Sequence, residues 1–280
     1  MEYTTSIGEG RVLVAEHAGM EKDKMDKTCF HLRDIQNKWA LVTGAASGIG
    51  DAVCGALMTA GVQTVAVDIA SPFPPEWRFR DYHAVFEADV RDIRDLYEPF
   101  HFLDKTNNSY DIVVHCAGVA GGHPLETMPE DEWERVVGTN LKGTFNVAQA
   151  AGAHFIEHEK KGSLILMGSI SGMVANGPEF SNAHYCASKG GVHMLAKSLA
   201  IEWAKYGIRV NVVAPGLTET EMVARGRERN PEALEAFGKR HPLGVSYPTD
   251  IVGPVLFLSS EMSSKVTGHV LTVDGGYTAQ

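Results

Sequence analysis

From Lys38 onward, short apolar runs alternate with longer stretches of helical period. Trp39-Ala40-Leu41-Val42, Val62 to Val67, His83 to Ala88, Asp111 to Cys116, Leu164-Ile165-Leu166, Arg209 to Ala214 and Val270 to Val273 read as strands buried within a sheet. Helix-prone segments separate them: a run to Ala60, one to about Leu103, and two long ones over roughly 133–158 and 185–206. This alternation predicts an α/β domain with a single doubly wound parallel sheet, right-handed crossovers and helices on both faces. Ligands of such sheets bind outside the C-terminal ends of the strands. Residues 1–34 have no clear period and mix glycines with acids and the cluster Glu21-Lys22-Asp23-Lys24. They read as a flexible extension ahead of a domain over 35–280.

The residues that punctuate the strand ends carry the first chemistry. Thr43-Gly44-Ala45-Ala46-Ser47-Gly48-Ile49-Gly50 joins the first strand to its helix. Glycines at 44, 48 and 50 let the backbone turn tightly and approach a pyrophosphate, whose charge is met by free N–H groups at the helix N-terminus. Alone, such a turn is often nothing more than a tight turn. Asp68 ends the second strand 18 residues after Gly50, near the spacing at which an acid binds an adenosine ribose. A carboxylate there accepts from ribose hydroxyls and repels a 2′-phosphate, and no arginine follows at once, so NAD is expected over NADP. A plain surface acid is the alternative. After a proline-rich loop, Ser71 to Pro75, the third strand ends at Asp89-Val90, where an acid is placed to meet the adenine amino group. Ala117-Gly118 follows the fourth strand and permits close approach of a cofactor.

Tyr185 and Lys189 stand four residues apart at the head of the second long helix, so both side chains leave one face. An ammonium within about 4–6 Å lowers a phenol by roughly 1–3 units from about 10, which makes Tyr185 an acid/base near neutral pH. For this spacing alone, an ordinary amphipathic helix that carries Tyr and Lys is the competing account.

Taken in order, the Thr43–Gly50 turn and the Tyr185–Lys189 pair match the TGxxxGxG and YxxxK motifs of the short-chain dehydrogenases/reductases, which the chain resembles from about residue 35 to its C-terminus. The resemblance implies a Rossmann fold and a nicotinamide cofactor held by Gly44, Ser47, Gly48, Ile49, Gly50, Asp68, Ile69, Asp89, Val90, Ala117, Gly118, Tyr185 and Lys189. Pro215, Gly216, Leu217 and Thr220 would complete the site, Leu217 backbone groups and the Thr220 hydroxyl holding the nicotinamide carboxamide. It further implies a catalytic set of Asn140, Ser169, Tyr185 and Lys189. Tyr185 takes or gives the substrate proton, Lys189 lowers its pKa and binds the nicotinamide ribose, Ser169 orients the reacting oxygen, and Asn140 holds a relay water. Ser171 is the nearby competitor for the serine role, and Ser169 is preferred because its spacing to Gly172 fits the family pattern. A substrate lid is expected over about 217–246, interrupted at Asn230-Pro231, with Val273-Asp274-Gly275-Gly276 a family-like ending.

Two features depart from the family. His115-Cys116 replaces an asparagine that usually supports the sheet, and about three extra residues separate Ser169 from Tyr185, around Asn176-Gly177-Pro178-Glu179-Phe180. This loop and the C-terminal stretch are similar to polyol dehydrogenases of galactitol, arabinitol and xylulose type. Ser171, Asn176 and Glu179 are the candidate substrate contacts, since a buried hydroxyl needs partners.

Charge narrows the partners. A net charge of -10 and a pI near 5.6 argue against a nucleic-acid surface, and no apolar run reaches bilayer length. Small-molecule alcohols or ketones remain. The cysteines, Cys29, Cys54, Cys116 and Cys186, form no CxxC pair or metal spacing, so no metal site is expected, and thiols in a reducing compartment point to the cytoplasm. The resemblance implies a homo-oligomer, dimer or tetramer, built on the two long helices. The competing functions are a 3-oxoacyl carrier-protein reductase, disfavoured by Asp68 and the acidic pI, and a non-catalytic dinucleotide-binding protein, disfavoured by the intact catalytic set.

Overall fold

The computed structural model describes residues 3–7, 10–14, 32–70, 82–106, 108–177 and 179–280. Two compact units emerge, Met1–His31 and Leu32–Gln280. In the first, β1 (Tyr3–Ile7) and β2 (Gly10–Val14) pair antiparallel with Tyr3 opposite Val14, an element that the irregular sequence did not announce. The rest of the expected flexible extension up to His31, together with Cys29, the Ser71–Pro75 loop and Pro178, lies outside the described residues. Leu32–Asp34 forms a 3-10 turn of the second unit, where Asp34 accepts the Glu261 N–H at 2.6 Å.

The second unit is built on seven parallel strands: β3 (Trp39–Thr43), β4 (Gln63–Asp68), β5 (Ala84–Glu87), β6 (Ile112–His115), β7 (Ser163–Met167), β8 (Arg209–Pro215) and β9 (Val270–Val273). Their order across the sheet is β5-β4-β3-β6-β7-β8-β9. Every residue of β3, β6 and β7 is buried, which explains why these strands read as unbroken apolar runs and not as alternations. One face packs against α1 (Gly48–Thr59) through Val53 and Leu57 and against a C-terminal helix, Pro248–Ser259, through Ile251, Val255 and Leu258. The other face is covered by Val147, Ala151 and Phe155, and by Val192, Ala196 and Ala200, from the two long helices.

The first long helix is composite. α2 (Tyr97–His101) is a short helix before β6; α3 (Glu130–Val137) then runs into a π-helical turn, Gly138–Lys142, and on into α4 (Gly143–Glu157). The second is α5 (Ala183–Trp203). The segment expected as a lid divides at Asn230 into α6 (Glu221–Arg229) and α7 (Pro231–Gly238), because Asn230 caps the Ala233 N–H at 3.1 Å while Pro231 cannot continue a helix. The helix Pro248–Ser259 is α8. Among the described residues no helix is long and apolar enough to cross a membrane.

Candidate active site

The strand order reverses between β3 and β6, and the residues singled out at the strand ends collect at that switch. Gly44 has φ +66° and Gly48 φ +53°, the left-handed region open to glycine. A Cβ on Gly44 would stand 2.5 Å from the Ala117 nitrogen, and one on Gly50 would run into the Gly44 carbonyl. Turn, helix and the chain after β6 therefore meet backbone to backbone. Ser47 precedes α1 without a side-chain cap, which leaves the first-turn N–H groups to an anion. This cradle fits a dinucleotide pyrophosphate. Thr220 faces it: a Cβ on Gly48 would lie 3.2 Å from Thr220 Cγ2, while the Thr220 hydroxyl caps α6 by accepting the Val223 N–H.

Asp68 is half-buried and fixed in place, Oδ2 accepting the Ala46 N–H at 2.8 Å and Oδ1 the Ala70 N–H at 3.0 Å. Each oxygen keeps a lone pair for a ribose hydroxyl. Ile69 beside it is exposed. Asp89 differs from expectation. The Arg91 guanidinium grips both its oxygens, holding its carboxyl below the usual range, so it is not a free acceptor for an adenine amino group. Val90 is buried and its carbonyl is taken by Asn146 Nδ2 at 2.8 Å.

The catalytic candidates converge. The Tyr185 phenol is near enough to Ser169 for that hydroxyl to favour its ionised form, and Ser169 Oγ accepts the Ser171 N–H at 3.1 Å. Ser171 instead turns its hydroxyl to Asn176 Oδ1 at 3.1 Å. Lys189 Nζ, buried, donates to the Met167 carbonyl at 2.9 Å and lies 5.8 Å from the Tyr185 ring centre. Burial lowers Lys189 to about 8 and raises the Tyr185 phenol, with the neighbouring Ser169 hydroxyl opposing the latter. The net shift of Tyr185 is therefore upward, opposite to the expected lowering, with burial its largest cause. Asn140 spends its amide on the chain beyond β6: Oδ1 accepts from the Val119 N–H at 2.8 Å, and Nδ2 donates to the Val119 carbonyl and to Ser188 Oγ. Gly118 completes the group, since a Cβ there would sit 3.2 Å from Asn140 Oδ1 and 3.6 Å from Lys189 Nζ.

His115 supplies support where the family's asparagine is missing. Its Nδ1 lies 2.7 Å from Thr43 Oγ1, tying β6 to β3, and burial holds it neutral with a pKa of about 3. Cys116 is half-buried, its thiol pushed by burial up to about 12. Among the described residues Cys54, Cys116 and Cys186 form no disulfide.

Leu217 requires a correction. Its N–H donates to His241 Nε2 at 3.1 Å, which closes it to a carboxamide, and its carbonyl already accepts the Ser246 N–H at 3.0 Å. The parallel bridge of Thr218 with Ser246 turns the next residue the other way. Among the described residues the Thr218 backbone N–H and C=O meet no protein partner, although Thr218 is buried. They are the groups that a carboxamide would satisfy. Pro215 and Gly216 lead into this turn from β8.

Glu179, a candidate substrate contact, is ion-paired with Arg240 at 2.5 Å. The sequence reading did not weigh Arg240, nor His193, whose ring packs against Gly168 and Gly172 around Ser169. Their roles depend on contacts made across 20 or more residues, which leave no local pattern.

The profile of a family described as enoyl-(acyl carrier protein) reductase matches residues 44–278. Galactitol 2-dehydrogenase (L-tagatose-forming) of Cereibacter sphaeroides is 36% identical over 242 residues, covering 85% of this chain and 94% of that one. (3R)-3-hydroxyacyl-CoA dehydrogenase of Mus musculus is 36% identical over 258 residues, covering 86% and 96%. The crystal structure of gox2181 superposes with a TM-score of 0.83 at 33% identity, covering 89% of this chain and 99% of that one.

Proposed function

The chain belongs to the short-chain dehydrogenases/reductases, and from that premise we propose that it is an NAD-dependent dehydrogenase of a secondary alcohol, a sugar alcohol or related polyol. The observation that carries the cofactor half is Asp68, anchored by the Ala46 and Ala70 amides beside the glycine cradle. A 2′-phosphate placed there would meet a fixed carboxylate. The substrate half rests on the polar loop before α5, where Ser171 and Asn176 are already hydrogen-bonded to each other, and on the likeness to a galactitol dehydrogenase.

The nicotinamide, when bound, supplies the hydride acceptor. The protein does the rest. Ser169 holds the substrate oxygen against the Tyr185 hydroxyl, and Tyr185 takes its proton as the carbon is oxidised. Lys189, by its positive charge, favours the phenolate; the Asn140 turn and Gly118 border the route by which the proton leaves. Thr218 and Thr220 hold the carboxamide end, Gly44 to Gly50 the pyrophosphate, and Asp68 the ribose.

Reduction of the dinucleotide, followed by its near-ultraviolet absorbance with NAD and with NADP across sugar alcohols and simple secondary alcohols, tests this. Turnover of a polyol is expected, with NAD preferred about 100-fold, the scale of a like-charge clash. Asp68→Ser should erase most of that preference without changing the polyol selected. Activity confined to NADPH and an oxoacyl thioester would refute both halves and favour the thioester chemistry of the acyl-CoA relative.

Oligomerisation follows the same reading. Phe145 on α4 and Met194 and Ile201 on α5 are exposed, Ile201 at 80%, and we assign this apolar face to a contact between copies in the cytoplasm. Ile201→Glu should shift the protein to a smaller species in size-exclusion chromatography with light scattering, its circular dichroism unchanged. An unchanged mass would remove this face from the assembly.

A further inference from the structure

We propose that His241 is a positioning residue for the nicotinamide end of the cofactor, a role that rests on the dinucleotide reading above. His241 lies just beyond α7 and is buried. Its Nδ1 is 2.9 Å from the Phe237 carbonyl, which can only accept, so the proton sits on Nδ1. Nε2 is then the unprotonated nitrogen and accepts the Leu217 N–H at 3.1 Å. One neutral tautomer satisfies both ends, and the ring has no polar capacity left for a ligand.

The surroundings hold that ring. Phe237 packs edge-on at 5.2 Å and Tyr277 lies 4.9 Å away, joining α7 and the C-terminal turn around it. Gly216 has no side chain where one would press on it: a Cβ there would come within 2.8 Å of Nε2. His241 therefore clamps the Gly216-Leu217 peptide from one side while Ser246 clamps the Leu217 carbonyl from the other. With Leu217 fixed at both groups, the Thr218 N–H and C=O keep one direction, away from Ser246 and without a protein partner among the described residues. A carboxamide presents an NH2 donor beside a C=O acceptor and matches that pair. Because His241 follows α7, the clamp also couples the end of the lid to the carboxamide turn.

Binding of NAD and of ADP-ribose, which lacks the nicotinamide, to the purified full chain by calorimetry tests this. His241→Leu keeps the apolar packing and removes both hydrogen bonds. It should weaken NAD about 10-fold or more, the scale of one lost buried hydrogen bond, and leave ADP-ribose unchanged. His241→Gln, whose Oε1 can still accept from Leu217, should recover NAD to within about threefold of wild type. Equal NAD affinity in wild type and His241→Leu would overturn the proposal. So would equal weakening of NAD and ADP-ribose, which marks a general loss of structure. A wild-type protein that binds neither compound would defeat the cofactor reading itself, and the proposal with it.

Discussion

Replacing Tyr185 with phenylalanine is expected to lower alcohol oxidation about 10³-fold while dinucleotide affinity stays within about twofold, because only the group that accepts the substrate proton is lost. The phenol is the acid/base candidate whose ionised form the neighbouring Ser169 favours. The remaining neighbours cannot substitute for it. Lys189 is committed to the Met167 carbonyl, and His193, buried at the Ser169 turn, is held to about 4. His115 is neutral and engaged with Thr43. Loss of the hydroxyl leaves the ring's packing and the α5 backbone intact, so kcat should fall with KM nearly unchanged. Turnover within about tenfold of wild type would mean that another group carries the proton and would dismantle the mechanism above.

What the sequence made legible was local. β3 shows itself because all five of its positions are buried and the first four, Trp39 to Val42, form an unbroken apolar run. The turn at Gly44 to Gly50 is visible because positive φ and backbone contact both demand glycine there. Tyr185 and Lys189 share a face through helix period alone, and the break at Asn230-Pro231 is cap and proline chemistry. The pieces that stayed hidden depend on distant partners. Nothing near Leu217 says that its N–H belongs to His241, 24 residues on. The direction of the Tyr185 shift was missed for a similar reason, since a spacing of four residues reveals the charge nearby and not the desolvation that opposes it. Asp89 is the instructive exception: Arg91 stands two residues away in plain view, and the pair was legible without any fold.

Lys189 gives the second large effect, and its sign follows from burial. Desolvation brings Lys189 to about 8 and raises the Tyr185 phenol, so the first proton lost from the pair on raising pH leaves near 8. Whether that state is written as neutral lysine with phenol or as ammonium with phenolate, it holds the same number of protons, and the apparent pKa belongs to the pair. The phenolate form is the base. Wild-type kcat/KM for alcohol oxidation should therefore rise with pH through an apparent pKa of about 8 and then level. Lys189→Met keeps the length and apolar stem of the side chain and removes the charge. Tyr185 alone, raised by burial above its ordinary value of about 10, would hold under about 1% phenolate at pH 8, so activity there should drop about 50-fold or more. Raising the pH should restore part of it, with the inflection displaced beyond about 10. A variant whose profile keeps its inflection near 8 would show that the titrating group is not this pair, and Lys189 would then be left with the cofactor ribose as its sole task.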